Sequence, residues 1–153
     1  MTNARIVVEP ATMRRTAGGR VTGSIWVDLE SKQFPIQGWN DFVVVVLCWW
    51  AGAVARLLRR ETDQELVNCM DAPYRVRIVT HERGWILTLL DGRTSEAGIE
   101  VGRALAALPV LGQSIVDGAD LVLAECHRRN WWSTNARALA DLQTKLRGTL
   151  FND

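Results

Sequence analysis

The chain has 153 residues, of which 48% are hydrophobic and 23% are charged. This composition is typical of a globular protein with a substantial core, so we expect a single domain over residues 1–153. Eighteen Lys and Arg residues against 17 Asp and Glu residues leave a formal charge of +1, so no global field attracts the chain to nucleic acid or to an anionic membrane.

Two strands are predicted near the N-terminus. Residues 20–29 alternate apolar and polar side chains, as a half-buried strand does, and residues 4–9 form the second candidate. The glycine pair Gly18 and Gly19 suits a turn between them. The sequence therefore predicts an antiparallel hairpin at the start of the fold.

A long apolar segment follows at residues 40–60, with 14 consecutive uncharged residues and then a cluster of arginines. A helix that spans a bilayer needs roughly 20 apolar residues, so a helix buried in a protein core fits better. Asn40 or Asp41 is placed to cap its N-terminus, and the arginines suit its C-terminus through the helix dipole. The β-branched run at residues 43–46 would also suit a buried strand, but the length and the cap favour a helix.

Four short strands are predicted next, at residues 64–70, 74–80, 85–90 and 95–101. Turn-forming residues separate the first three of them, and an Asp-Gly turn follows the third. This pattern predicts an antiparallel meander.

The last third of the chain predicts two helices. Residues 104–129 are largely apolar, and we expect this helix to be kinked or split at Pro109, Gly112 and Gly118. A closing helix is predicted over residues 134–147.

Ser133 is placed to cap the closing helix, whose Leu139, Leu142 and Leu146 recur on one stripe. The whole order of elements predicts an α+β fold. We expect an antiparallel sheet of about five to six strands that is covered on one face by helices.

The cysteines and the N-terminus bear on the compartment. Cys48, Cys69 and Cys126 lie in apolar segments and form neither an even set nor a CxxC pair, so we expect reduced, buried thiols. The N-terminal residues contain no apolar run of signal-peptide length. These features predict a cytoplasmic protein.

No catalytic, phosphate-binding or metal-binding motif stands out in the chain. Cys126 and His127 are adjacent but point to different sides of their predicted helix, so they are not placed to form a catalytic pair. His81 lies in a predicted turn, and Asp117 and Asp120 share a polar helix face without further converging ligands. We therefore expect no enzymatic activity, no metal and no cofactor.

Most of the seven tryptophans have a structural explanation. Trp50 and Trp85 lie on the apolar sides of their predicted elements. Trp39, Trp131 and Trp132 lie at junctions between elements, where they are expected to brace the chain.

Trp26 and Trp49 do not fit the patterns of their elements. Trp26 lies on the polar side of its strand, and Trp49 lies close to the line of Arg56 on its helix. Either a loop or the N-terminal segment covers them, or they belong to an exposed surface of Trp and Arg, a composition enriched in protein interfaces. Arg75 and Arg77 lie on the side of their strand opposite the apolar residues.

Several short motifs of aromatics and turns carry a family resemblance. They are Phe34-Pro35-x-x-Gly38-Trp39-x-Asp41-Phe42, Leu47-x-Trp49-Trp50, Asp71-x-Pro73-Tyr74-x-Val76 and Trp131-Trp132-Ser133. With these motifs the chain resembles a group of small bacterial proteins of unknown activity, which is itself similar to the immunity proteins of polymorphic and contact-dependent toxin systems. The resemblance implies a small α+β fold, no enzymatic activity and neutralisation of one cognate toxin by direct binding.

The first functional hypothesis is therefore an immunity-type protein that binds a cognate toxin. Its contact surface is predicted to include Trp26, Trp49, Arg56, Arg59, Arg75 and Arg77. The alternative is a small-ligand-binding protein or enzyme with a site between sheet and helices, and a third hypothesis is a homodimer subunit. A deep polar pocket would favour the ligand site, and a flat aromatic patch would favour the toxin or the dimer. Neither a nucleic acid nor a membrane is expected as a partner.

Overall fold

The computed structural model describes residues 3–151, which form eight strands and three helices. The strands belong to two antiparallel sheets of four strands each. In the first sheet β2 pairs with the other three, and the strands are β1 (Arg5–Arg15), β2 (Val21–Asp28), β3 (Gln33–Phe34) and β4 (Asn40–Asp41). The second sheet follows sequence order, with β5 (Gln64–Asn68), β6 (Tyr74–His81), β7 (Gly84–Asp91) and β8 (Ile99–Ala106). The helices are α1 (Val43–Leu58), α2 (Leu108–Arg128) and α3 (Thr134–Phe151).

The predicted α+β class is confirmed, but the prediction of one sheet of about five to six strands is wrong. The helix α1, 16 residues long, separates the first four strands from the last four. Short connections favour pairing between strands that are close in sequence, so each group forms its own sheet. The predicted hairpin and the predicted meander therefore belong to different sheets.

The segment that could have been a helix or a strand is the helix α1. Its inward residues Leu47 and Trp50 are 0% and 4% exposed, which confirms the predicted burial. The predicted cap by Asn40 or Asp41 is wrong, because the N-cap residue is Phe42 and it makes no side-chain cap bond. Asn40 and Asp41 form β4 instead, paired with β2.

The helix α2 is continuous from Leu108 to Arg128, so the predicted split is wrong, while a kink within the helix stays a prediction. Pro109 lies in its first turn, where the missing amide removes no helical hydrogen bond. A Cβ at Gly112 would lie 3.0 Å from Cδ2 of Leu150, and one at Gly118 would lie 3.5 Å from Cγ2 of Val8. The two glycines allow α3 and β1 to approach α2 closely.

The predicted closing helix is confirmed as α3. The Oγ atom of Ser133 accepts a hydrogen bond from the amide of Ala136 at 3.2 Å, as expected for the cap. Leu139 and Leu146 are 0% exposed, and Leu142 is half-buried against the core. The leucine stripe therefore anchors α3 to the rest of the fold.

Both sheets and all three helices contribute to one hydrophobic cluster. The helix α2 packs along β1, at the edge of the first sheet, where Oγ of Ser114 accepts the amide of Ile6 at 2.8 Å. The helix α1 packs against β5 and against α2 and α3. Within residues 3–151, no helix is both long enough and apolar enough to cross a bilayer.

Candidate functional site

Trp26 is buried, at 7% exposure, so the prediction that it belongs to an exposed contact surface is wrong. Its indole N–H donates to Oε1 of Gln33 at 2.7 Å, and the amide of Gln33 donates to Oδ1 of Asp28 at 2.8 Å. The strand β3 pairs with β2 next to Trp26 and brings Gln33 into reach. The β3 segment therefore covers this tryptophan, in line with the alternative interpretation that a neighbouring segment buries it.

The Asp28 carboxylate completes this network. Burial alone would raise its pKa, but hydrogen bonds from Gln33 and from the amide of Glu30, together with the Arg5 guanidinium, lower the pKa below its ordinary value. Asp28 therefore stays charged near neutral pH and holds the turn between β2 and β3. Through its hydrogen bond to Gln33, Trp26 helps to stabilise the turn between β2 and β3.

Trp49 is 39% exposed, which agrees with the exposed alternative for its position, and its place in a contact surface stays a prediction. It lies on α1, where most residues are buried. Val45 lies one turn before it on the same side of the helix and is half-buried. Trp49 is therefore part of a surface rather than of the core.

A recess of about 210 Å³ lies at the N-terminal end of α1, next to Val45. Phe42 and Met70 also line it, and Met70 is 43% exposed. The guanidinium of Arg20 lies 5.6 Å from the centroid of the Phe42 ring, in a cation–π arrangement. Trp49 does not line the recess but lies one helical turn from Val45, and we call Phe42, Val45, Met70 and Trp49 the Trp49 surface.

Arg56 and Arg59 are exposed, but each forms a hydrogen bond or an ion pair with another side chain. Arg56 forms an ion pair with Glu65 on β5, with Nε 3.1 Å from Oε1, and this bond lowers the pKa of Glu65. Arg59 Nε donates to Oγ1 of Thr149 on α3 at 3.0 Å. Arg56 thus lies beside the Trp49 surface, whereas Arg59 points to α3.

Arg75 and Arg77 lie on the outer face of the second sheet, opposite the buried Val76 and Ile78, as the alternation predicts. Arg75 donates to the backbone carbonyl of Glu96. The six predicted contact residues therefore do not form one surface. Trp26 is buried, Trp49 and Arg56 lie on the α1 side, Arg59 lies against α3, and two arginines lie on the sheet.

The remaining tryptophans brace neighbouring elements. Trp39 is half-buried, donates to Oδ2 of Asp41 at 2.9 Å and packs edge-on against Tyr74. Trp132 stacks on His127 with 4.0 Å between ring centroids, and Trp131 lies under the guanidinium of Arg129. Trp85, predicted to be core, is only half-buried.

The candidate catalytic residues are held apart. Cys126 is 0% exposed, and burial raises the pKa of its thiol, while His127 is exposed on the other side of α2. Cys48 and Cys69 are half-buried, not fully buried as predicted, and all three thiols are unpaired. Nucleophilic catalysis needs a thiolate within reach of a base, and this arrangement does not provide one.

The two aspartates of α2 are engaged in hydrogen bonds. Asp117 accepts from Nε2 of Gln113 at 2.9 Å, and Asp120 accepts from Gln143 at 2.6 Å and from Arg147 at 3.3 Å. Residues 3–151 contain no group of three or more His, Cys, Asp or Glu side chains that could hold a metal ion. These carboxylates connect α2 to α3 and to their own helix.

The space between the sheets and α1 is nearly filled. A cavity of about 20 Å³ lies there, between Trp26, Trp50 and Val76. That volume is enough for about one water molecule. A larger groove, of about 710 Å³, lies at the surface between the end of α1 and the turn that joins β6 to β7.

Sequence patterns missed part of the Trp49 surface. Phe42 was assigned to the buried apolar segment, and Met70 to the end of a strand, although β5 ends at Asn68. An apolar side chain immediately before the turn at Asp71 was the available signal for Met70. The position of Met70 on this surface depends on how the loop after β5 folds beside α1. That arrangement depends on contacts between residues far apart in the sequence.

Comparison with known proteins gives no relative of this chain. No protein-family model matches it, and neither a curated protein nor a solved structure matches it significantly.

Proposed function

We propose that this protein is an immunity-type binder that neutralises a cognate toxin through direct contact with the Trp49 surface. The observation that carries the proposal is the 39% exposure of Trp49 on a helix whose other large apolar side chains are buried or half-buried. Burial of such a side chain in a complex contributes about 2 kcal/mol or more.

The neighbourhood of Trp49 supports this role. Met70 is 43% exposed and adapts its shape to a partner more readily than a branched side chain does. The recess of about 210 Å³ beside Val45 offers room for a protruding side chain of the partner. Arg20 and Arg56 lie at the margins, where charged residues are common in interfaces.

The near absence of interior space also favours a surface function over a ligand site between sheet and helices. Sites for small molecules typically occupy about 300–1,000 Å³. The cavity between the sheets and α1 has about 20 Å³. A partner protein needs no interior cavity.

The proposal predicts that the gene immediately upstream encodes a protein with a toxic C-terminal domain, and the test expresses that domain with and without this chain. We expect the wild-type chain to restore growth and Trp49→Ala to weaken the complex by about 30-fold in calorimetry. Leu121→Ala is the matched control, because Leu121 is an apolar residue on α2 at 50% exposure. It should leave binding within about twofold.

Two results would contradict the proposal. Full binding by a folded Trp49→Ala variant would place the interface elsewhere. Failure of the chain to restore growth in cells that express the upstream domain would rule out the immunity function itself.

A second candidate function uses the groove of about 710 Å³, whose volume is within the range of ligand sites. Its lining includes Arg60, Asp63, His81 and Trp85, which could bind a small polar ligand with a planar part. A screen of charged metabolites by thermal shift would test it. Stabilisation that His81→Ala abolishes would favour this function, and stabilisation that survives the substitution would exclude the groove.

A further inference from the structure

The two faces of the second sheet differ in exposure. On the inner face, Ile78 and Leu87 are 0% exposed and belong to the shared core. On the outer face, Leu66 is 44% exposed and Ile86 is half-buried. The outer face is therefore open to solvent only in part, because Thr88 on the same face is only 6% exposed.

The strand register arranges these outer side chains in two rows. Val79, Ile86 and Leu105 lie directly opposite one another on β6, β7 and β8 and form an aliphatic row. The adjacent row crosses four strands and consists of Leu66, Arg77, Thr88 and Arg103. Directly opposite side chains on one face of a sheet are in contact range, so each row is a continuous strip.

The loop over residues 92–98 covers one end of this face. Arg75 donates to the carbonyl of Glu96 in that loop, and a Cβ at Gly98 would lie 3.0 Å from Cβ of Leu90. Leu90 is accordingly only 4% exposed. The loop closes one end of the face and leaves the two rows outside it.

The charge of the outer face is positive. The strands place three arginines there, Arg75, Arg77 and Arg103, and one acid, Glu100, which pairs with Arg103 at 2.7 Å. Within residues 3–151, Arg77 has no ion-pair partner. Its half-buried side chain lies between Leu66 and Thr88 at the centre of the face.

We infer that the outer face of the second sheet binds an acidic, partly apolar segment of a partner protein, with Arg77 as its central anchor. Aliphatic side chains of the partner would lie on the row of Val79, Ile86 and Leu105, and its carboxylates would pair with Arg77 and Arg103. Charge complementarity of this kind fixes register and speeds association. The inference does not depend on the function of the Trp49 surface.

Other occupants fit this face less well. Two copies packed face to face would bring like-charged arginine rows together, which is costly. Single-stranded nucleic acid is typically held by stacking on aromatic side chains, and the two rows contain none. An acidic segment satisfies both the arginines and the aliphatic row.

The test measures binding of a fluorescein-labelled peptide of Glu-Glu-Leu repeats to the intact protein by fluorescence polarisation. We expect the paired substitution Arg77→Gln and Arg103→Gln to weaken binding by about tenfold or more, and higher salt to weaken it as well. The matched control replaces Arg15 and Arg137, which are exposed elsewhere, with Gln and changes the net charge equally. The affinity of the control variant for the peptide should stay within about twofold of the wild-type affinity, and so should that of Trp49→Ala.

Three further measurements test the other occupants of this face. They are binding of a Lys-Lys-Leu peptide, binding of an oligothymidine, and light scattering of the protein alone, which detects a dimer. Amide signals of β6 and β7 that shift with the acidic peptide alone would support the inference. The inference would be overturned if the acidic peptide did not bind, or if the control pair lost as much affinity for it as the Arg77 and Arg103 pair. Tighter binding of the Lys-Lys-Leu peptide or of the oligothymidine would also overturn it, and so would a dimer that Arg77→Gln disrupts. Circular dichroism verifies the fold of each variant.

Discussion

The carboxylate of Asp41 accepts a hydrogen bond from the backbone amide of Met70, with 3.1 Å between Oδ2 and N. Asp41 belongs to β4 in the first sheet, and Met70 lies in the loop that follows β5 in the second. The same carboxylate accepts the Trp39 indole at 2.9 Å and the Phe42 amide at 2.7 Å. One buried side chain therefore joins the two sheets and positions two residues of the Trp49 surface.

Substitution of Asp41 should destabilise the protein. Asp41 is 1% exposed, so Asp41→Ala leaves several partly buried N–H donors without an acceptor and should lower the free energy of unfolding by about 2–4 kcal/mol. Urea denaturation followed by circular dichroism measures this. Asp117→Asn, at an exposed position on α2, is the control and should change the value by less than about 0.5 kcal/mol. Equal stability of Asp41→Ala and the wild type would show that the carboxylate does not join the sheets.

Trp26 should behave as a core residue. Trp26→Ala removes a large buried side chain and its bond to Gln33, so the free energy of unfolding should fall by about 3–5 kcal/mol. Trp26→Phe keeps most of the side-chain volume and loses only the N–H donor, so the free energy of unfolding should fall by less in this variant. A Trp26→Ala variant with an unchanged denaturation midpoint would mean that the β3 segment does not cover this side chain.

Local patterns were sufficient to predict most elements of this fold. Alternation identified β2, and the Ser133 cap with its leucine stripe identified α3, because both signals depend on neighbours within a few residues. The limits of elements were harder to predict. The strand β1 continues past Pro10 to Arg15 because a change of register between Glu9 and Arg14 accommodates the proline.

Non-local contacts account for what the sequence did not predict. The strand β3 has only two residues, too few for a periodic pattern, yet it covers Trp26. The pairing of strands into two sheets likewise depends on which partners meet after collapse. For the candidate site, helical phase placed Trp49 near the line of Arg56 but left its exposure open, whereas the positions of Phe42 and Met70 depend on the Asp41 bonds.

The thiols should react slowly in the folded protein. Burial raises the pKa of Cys48 to about 11, and burial together with the charge of Asp41 raises that of Cys69 to about 12. Because the thiolate is the nucleophile, iodoacetamide should label the native protein far more slowly than the urea-unfolded protein near pH 8. Rapid native labelling of Cys126 would contradict its complete burial.

The same shifts predict the direction of a pH effect on stability. A pKa that is raised in the folded state stabilises the fold below the ordinary thiol pKa of 9.0, and this contribution is lost as the pH rises towards about 11 for Cys48. The free energy of unfolding should therefore fall between these values, and Cys48→Ala should reduce the fall. If the free energy of unfolding fell by the same amount in Cys48→Ala, the pH effect would come from other titratable groups.

Trp49 and Trp50 are adjacent in the chain, but substitution by Ala should destabilise the protein much less at Trp49 than at Trp50. Trp50 is 4% exposed, so Trp50→Ala should lower the free energy of unfolding by about 3–5 kcal/mol. Trp49 is 39% exposed, so Trp49→Ala should lower it by no more than about 1 kcal/mol. Urea denaturation of the two variants measures the contrast, and Met70→Ala should resemble Trp49→Ala because Met70 is also exposed. If Trp49→Ala were as destabilising as Trp50→Ala, Trp49 would be part of the core, and its loss of binding could not be assigned to a contact surface.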